Sequence, residues 1–164
     1  MVFKSKDYDV SFVECIDLNE IIEVYNSNKN FLLSHMSKEE VESEWMLEEF
    51  ESMKRIGFHC CKIVNINTGK IVGVLDFKID KETYLSLLMI HTDHKNKGLG
   101  NSIYQAFEKY VLSQNSKSIK IDVVTEYDNA VLDFWIRKGF IVYENIELNW
   151  TGKILSAVTL KKFL

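Results

Sequence analysis

From position 94 to position 100 the chain reads His-Lys-Asn-Lys-Gly-Leu-Gly, and these residue types suit one kind of chemistry. The stretch follows the most apolar run in the chain, YLSLLMI, and leads into Leu99, Ile103, Phe107, Tyr110 and Val111 at helical spacing. A turn between a strand's end and a helix's start exposes backbone N–H groups that lack partners, and the helix dipole adds positive potential there. Gly98 and Gly100 let a phosphate approach that backbone without a Cβ in the way. Lys95 and Lys97 supply charge, and His94 adds more when protonated. The combination is a cradle for a pyrophosphate.

Two nearby residues are candidates for moving protons. Asp76 is the charged residue inside the apolar run KIVGVLDFKI, on a strand face with Val72 and Val74, where partial desolvation raises a carboxyl pKa. With a two-residue turn at Asp80-Lys81, Asp76 stands opposite Leu85, on the face of His91. His91 ends the apolar strand beside the loop, and a histidine there can carry a proton. Asp122 and Glu126, on the next strand, stand behind these two as candidates.

Two phosphate loops are excluded by spacing. A Walker loop places Gly-Lys-Ser/Thr after an upstream glycine, whereas here lysine precedes the glycine. A dinucleotide fingerprint needs a third glycine where this chain has Ile103.

The elements that must hold these residues follow from periodicity. Val10, Phe12 and Cys15 predict a strand, and Leu18 to Tyr25 a helix. Ser37 and Glu40 stand in capping-box relation, which predicts a long acidic helix from there, with Val41, Trp45, Met46, Phe50 and Met53 on its apolar stripe. FHCCKIVNI, KIVGVLDFKI and ETYLSLLMIH read as three antiparallel strands joined by close turns at Asn67-Thr68-Gly69 and Asp80-Lys81. After the loop and its helix come a strand (SIKIDVVT), a short helix (NAVLDFWIRK) and two final strands. The predicted fold is α/β with a central mixed sheet flanked by helices, in the order β-α-α-β-β-β-α-β-α-β-β. One strand–helix–strand crossover supplies its parallel portion.

At 164 residues, with 46% hydrophobic content and no proline, repeat or linker-like stretch, the expectation is a single domain over residues 1–164. A net charge of -4 with scattered lysines argues against nucleic acid as a partner. Cys15, Cys60 and Cys61 have no metal-ligand spacing and read as reduced thiols, so no metal is expected. No apolar run approaches the length of a membrane span, and the start MVFKSKDYDV lacks the apolar core of a signal peptide. A cytoplasmic protein, monomer or homodimer, is expected. The two terminal strands, ending in the alternating apolar ILSAVTLKKFL, are a candidate dimer edge.

Two separate motifs resemble the GNAT superfamily of N-acetyltransferases. That family's loop runs V-x-P-x-x-R-G-x-G-x-G, around a core Arg/Gln-x-x-Gly-x-Gly/Ala; here residues 90 to 100 read I-H-T-D-H-K-N-K-G-L-G. Lys95 replaces the usual Arg or Gln and keeps the charge without the bidentate fork. The second motif, N-x-x-A-x-x-F/L-Y-x-x-x-G-F, is matched loosely by DNAVLDFWIRKGF, residues 128 to 140, in Asn129, Phe134, Gly139 and Phe140. The resemblance implies acetyl-CoA as co-substrate, with its pyrophosphate over Lys95, Asn96, Lys97, Gly98, Leu99, Gly100, Asn101 and Ser102. It implies that the pantetheine arm pairs with backbone at Ile90 and meets Asn129.

The implied activity is transfer of an acetyl group to a primary amine of a small molecule or peptide, by direct attack on the thioester. Many family members carry a tyrosine four residues before the Gly-Phe pair, as the acid for the leaving thiolate. Trp135 occupies that position, and an indole N–H donates a hydrogen bond but no proton. A thiol pKa of about 8.5 makes the thiolate a tolerable leaving group without an acid. Tyr127 and Tyr143 are possible replacements. Trp135 keeps open a second reading, an acyl-CoA-binding module without catalysis. Glu39, Glu40, Glu42, Glu44, Glu48, Glu49 and Glu51 make a field suited to a cationic amine acceptor, or simply a solvated helix face.

Overall fold

The computed structural model describes residues 1–150 and 152–164. Among these residues eight strands form one sheet: β1 (Phe3–Ser5), β2 (Tyr8–Phe12), β3 (His59–Asn65), β4 (Ile71–Lys78), β5 (Glu82–Ile90), β6 (Ser118–Val124), β7 (Ile141–Trp150) and β8 (Lys153–Phe163). Five helices accompany them: α1 (Leu18–Ser27), α2 (Lys29–Met36), α3 (Ser43–Arg55), α4 (Leu99–Ser113) and α5 (Asn129–Arg137). The strand order is β1-β2-β3-β4-β5-β6-β8-β7. Every pairing is antiparallel except β5 with β6, which α4 joins by a crossover.

The mixed α/β fold and its order of elements are those expected, with two additions. Phe3–Ser5 adds a strand ahead of the first predicted one, and Lys29–Met36 forms a helix that periodicity did not reveal. Ser37 does not open the acidic helix. It closes α2 in the left-handed conformation, φ 54°, and α3 begins at Ser43 after Glu42. Val41 still joins the apolar core, held by Asn26, whose side chain accepts from its N–H at 2.8 Å and donates to its carbonyl at 3.2 Å.

Two apolar clusters cover opposite faces of the sheet. On one face α4 and α5 bury Leu99, Ile103, Tyr104, Phe107 and Trp135 against Leu75, Phe77, Leu85 and Ile121. On the other, α1, α2 and α3 bury Ile21, Val24, Leu32, Met46 and Phe50 against Cys60, Val74 and Met89. The second is the acidic helix's true partner: Met46 and Phe50 face inward, and Glu44, Glu48 and Glu51 face solvent.

Register departs from expectation at two bulges. One at Asp76/Phe77 sets Asp76 opposite Leu87 rather than Leu85. Its side chain still shares a face with Val74 and Met89, while Leu85 packs on the opposite face. The other, at Ile63/Val64, puts Val72 in the cluster on the α4 face, apart from Val74. The alternating C-terminal strand is not an edge. β8 lies between β6 and β7, and β7 forms the border.

Gly73 marks a close approach of β4 to the end of β5, opposite Ile90. A Cβ there would lie 2.6 Å from the Met89 carbonyl oxygen. Gly73→Ala must push β5 aside, and we expect it to lower the unfolding free energy in urea by roughly 1–3 kcal/mol.

Candidate active site

β5 and β6 pair only over Glu82–Ser118, Thr83–Ile119 and Tyr84–Lys120. Beyond that ladder they part, β5 continuing along β4 to Ile90 and β6 along β8 to Val124. The fork is pinned at its vertex. Tyr84 Oη donates to Asp122 Oδ2 at 2.8 Å and Thr159 Oγ1 donates to Asp122 Oδ1 at 2.6 Å, tying β5, β6 and β8 through one carboxylate. Behind it, Ser116 Oγ accepts from the Thr83 N–H and hydroxyl.

Between the parted strands lies a cavity of about 670 Å³, walled by residues 85–90 and 121–124. Its lining comes from both faces of the sheet. Gly98, Leu99, Gly100, Asn101, Phe134 and Trp135 lie on the α4 and α5 side, and Asn28, Phe31 and His35 on the α2 side. The opening therefore runs through the sheet. The His91 N–H donates to Val72 across the β4 ladder, so by alternation the Ile90 N–H points into the opening.

The glycine loop sits at the α4 end. The chain makes a single 3-10 turn over Thr92–His94, then passes through Asn96 at φ 58° and Gly98 at φ 79° into α4. The amides of residues 96–101 have no hydrogen-bond partner among the described residues; the first paired one is Ser102, to Gly98. A Cβ on Gly98 or Gly100 would meet nothing within 4 Å, so the space before these amides is open. Lys95 lines it, its pKa lowered by partial burial despite Asp128 nearby. Lys97 reaches back to the Asp93 carbonyl at 2.8 Å, and Lys138 pairs with Asn101. Helix dipole, free amides and lysines converge where an anion would bind.

Of the residues singled out in the sequence, Ile90, His94, Lys95, Asn96, Gly98, Leu99, Gly100, Asn101, Asp122, Tyr127 and Trp135 line the opening. Lys97, Ser102 and Asn129 lie beside it without lining it. Ser102 is turned to β1, its hydroxyl 2.7 Å from that of Ser5. Trp135 packs edge-on against Tyr104, Phe134 and Phe140 with centroids 4.8–5.5 Å apart.

Asp76 and His91 do not line the opening. His91 Nδ1 accepts from the Asp93 N–H at 3.2 Å, closing the turn that follows it. Asp76 lies one strand back, beneath α1 and α3. Burial pushes its pKa up to about 7 and the Glu49 charge adds to this, while hydrogen bonds from Cys60 and the Cys61 backbone pull the other way. The same carboxyl and Glu49 raise the Tyr25 phenol, after burial itself.

Two lining residues, Asn28 and His35, carried no signal in the sequence. Asn28, between α1 and α2, donates from Nδ2 to the Ile90 carbonyl at 3.1 Å, and the neighbouring Ser27 hydroxyl accepts from the Thr92 N–H at 3.2 Å. The α1–α2 junction thus clips the end of β5 in place. Phe31, His35 and Tyr127 form an aromatic wall beyond it, with Trp150 behind.

The mixed sheet, the parted parallel strands and the glycine loop define the class of fold seen in N-acetyltransferases. Residues 19–140 match the Acetyltransferase (GNAT) family, and the chain belongs to that family. It is 27% identical to an uncharacterized N-acetyltransferase of Acanthamoeba polyphaga mimivirus, over 85% of this chain and 37% of that protein. The chain therefore spans little more than a third of that relative's length. Its fold is similar to spermidine N-acetyltransferase from Vibrio cholerae in complex with CoA and spermine, with TM-score 0.75, 13% identity and 96% of each chain covered. It is also similar to PaiA N-acetyltransferase from Thermoplasma acidophilum in complex with coenzyme A, with TM-score 0.70, 17% identity, and 96% and 99% of the two chains covered. No helix among the described residues is long and apolar enough to cross a membrane, and no group of His, Cys, Asp or Glu there is arranged to hold a metal.

The Asp76 carboxyl makes a pH-dependent demand on stability. Its folded pKa of about 7 lies above the ordinary carboxyl value, so the fold keeps a proton that the unfolded chain releases. Stability therefore falls as pH rises from about 4 to 7, and Asp76→Asn removes that slope. Urea unfolding should show the variant gaining on wild type by roughly 3 kcal/mol between pH 4.5 and pH 8. A constant gap would place no titrating carboxyl at this position.

Proposed function

We propose that the protein is an acetyl-CoA-dependent N-acetyltransferase that moves an acetyl group to a primary amine of a small molecule or peptide, by direct attack on the thioester. One observation carries this reading: an opening passes through the sheet, with free amides at the α4 end and a separate approach from the α2 side. CoA enters from the α4 face, with its pyrophosphate on the amides of residues 96–101 beside Lys95. Its pantetheine arm occupies the unpaired edge of β5, as an added strand would. The thioester then reaches the Ile90 N–H, a backbone donor suited to the oxyanion of the tetrahedral intermediate.

The acceptor amine comes from the α2 side, past Phe31, His35 and Tyr127. The acidic outer face of α3 and the net charge of -4 favour a cationic acceptor at long range. The family relationship and the neighbours solved with CoA support the choice of co-substrate. Trp135 supports a second reading, in which CoA binds without turnover. It is buried in the core where the resemblance implies an acidic tyrosine.

Calorimetry with CoA, ATP and NAD, followed by an amine panel monitored through CoA release, separates these readings. We expect CoA to bind selectively and at least one amine to be acetylated. Binding without turnover would favour the second reading, and absence of CoA binding would overturn both. Gly100→Val places a branched side chain into the open space before the amides, where nothing in the fold opposes it. It should weaken CoA binding by about tenfold or more while changing helix stability by no more than roughly 0.5 kcal/mol.

A further inference from the structure

Six titratable side chains line the opening: His35, His94, Lys95, Asp122, Tyr127 and Asp128. Most are committed elsewhere. Both Asp122 oxygens accept hydrogen bonds from Tyr84 and Thr159, and Asp128 caps α5 through the Ala130 N–H at 2.9 Å. His94 and Lys95 belong to the phosphate loop. Burial, and then Asp128, raise the Tyr127 phenol, which keeps its proton at neutral pH and is no base. His35 remains, on the α2 side where the acceptor arrives.

The tautomer of His35 follows from its neighbours. Nδ1 lies 3.0 Å from the Phe31 carbonyl oxygen, which only accepts, so Nδ1 carries the hydrogen. Ser34 Oγ, 3.2 Å from the same nitrogen, gives its own hydrogen to the Asn30 carbonyl at 2.6 Å and so acts as a second acceptor. In the neutral ring the lone pair is therefore on Nε2. No hydrogen bond to Nε2 is formed among the described residues, and His35, only 8% exposed, lines the opening. Phe31 stacks on the ring at 4.0 Å and Tyr127 meets it edge-on at 4.9 Å, which fixes its plane. Burial lowers the pKa of His35; the Phe31 hydrogen bond opposes this and Lys153 of β8 adds to it. Lys153, Tyr127 and Asp128 are the charged or titratable groups around the ring from β8 and the segment after β6.

We propose that His35 is the proton acceptor of the acetyl transfer, its Nε2 taking the proton that the acceptor amine sheds as it attacks the thioester. This rests on the acetyltransferase reading. The amine nitrogen forms the C–N bond and loses one proton to Nε2, while the C–S bond breaks and its electron pair leaves on the thiolate. The imidazolium then returns the proton to the thiolate. The products are the N-acetyl amide and CoA thiol, and His35 ends neutral.

His35→Gln keeps a polar side chain and removes the base. With the best amine of the panel, kcat should fall by about 10²-fold or more while CoA affinity is nearly unchanged. In wild type, kcat/KM should fall about tenfold per pH unit from protonation of the amine, and a further tenfold per unit once His35 protonates below its ordinary pKa. The variant should keep only the first slope. Long-range nitrogen NMR on wild type gives a check that does not depend on the variant's folding, with the Nδ1–H tautomer expected for His35 at pH 7. Wild-type turnover with an unaltered variant, or an Nε2–H tautomer, would overturn the role of His35 alone. Absence of both CoA binding and turnover in wild type would overturn the acetyltransferase reading and this role with it.

Discussion

One edge of β5 over residues 85–90 faces no strand, and the site depends on that missing ladder. Backbone N–H and C=O groups there need partners, and leaving one buried without any costs about 1–3 kcal/mol. An open channel meets the need with water or with an extended ligand. The fork is held open by specific contacts. Tyr84 and Thr159 on Asp122 fix where β5 and β6 part, and Asn28 with Ser27 fixes where β5 ends. Gly73 lets β4 lie close enough to carry that end.

Charge is distributed to match. The α4 face gathers free amides, a helix N-terminus and lysines, all suited to a polyanion. The α2 face presents aromatic rings and one imidazole whose pKa burial lowers. A protein of net charge -4 thus keeps a local positive patch at the α4 end, while on the α2 side Lys153 is the cation beside the ring. Asp76, by contrast, lies outside the opening and owes its raised pKa first to burial.

Much of this was legible in the sequence. The glycine loop announced itself because positive φ and close approach to an anion demand glycine, and Gly98 adopts that conformation. Strand and helix periods gave the sheet and its crossover. Ser37 misled because a serine three residues before a glutamate fits a helix start, yet here it ends one in the left-handed conformation. α2 escaped notice because its eight residues, KNFLLSHM, bury only Leu32, His35 and Met36. Asn28 and His35, at the start and near the end of α2, meet the distant Tyr127 only because α2 lies across the open fork. The bulge at Asp76/Phe77 has no local sequence marker, so the strand opposite Asp76 was misread by two residues.

The central claim is that CoA fills the gap between β5 and β6 and completes the broken ladder. Hydrogen exchange of backbone amides with and without CoA tests it most directly. The account predicts slowed exchange in two places, the opening-facing amides of β5, Ile90 above all, and residues 96–101, with β1 and β2 unchanged. Protection confined to other regions, or none at saturating CoA, would contradict it.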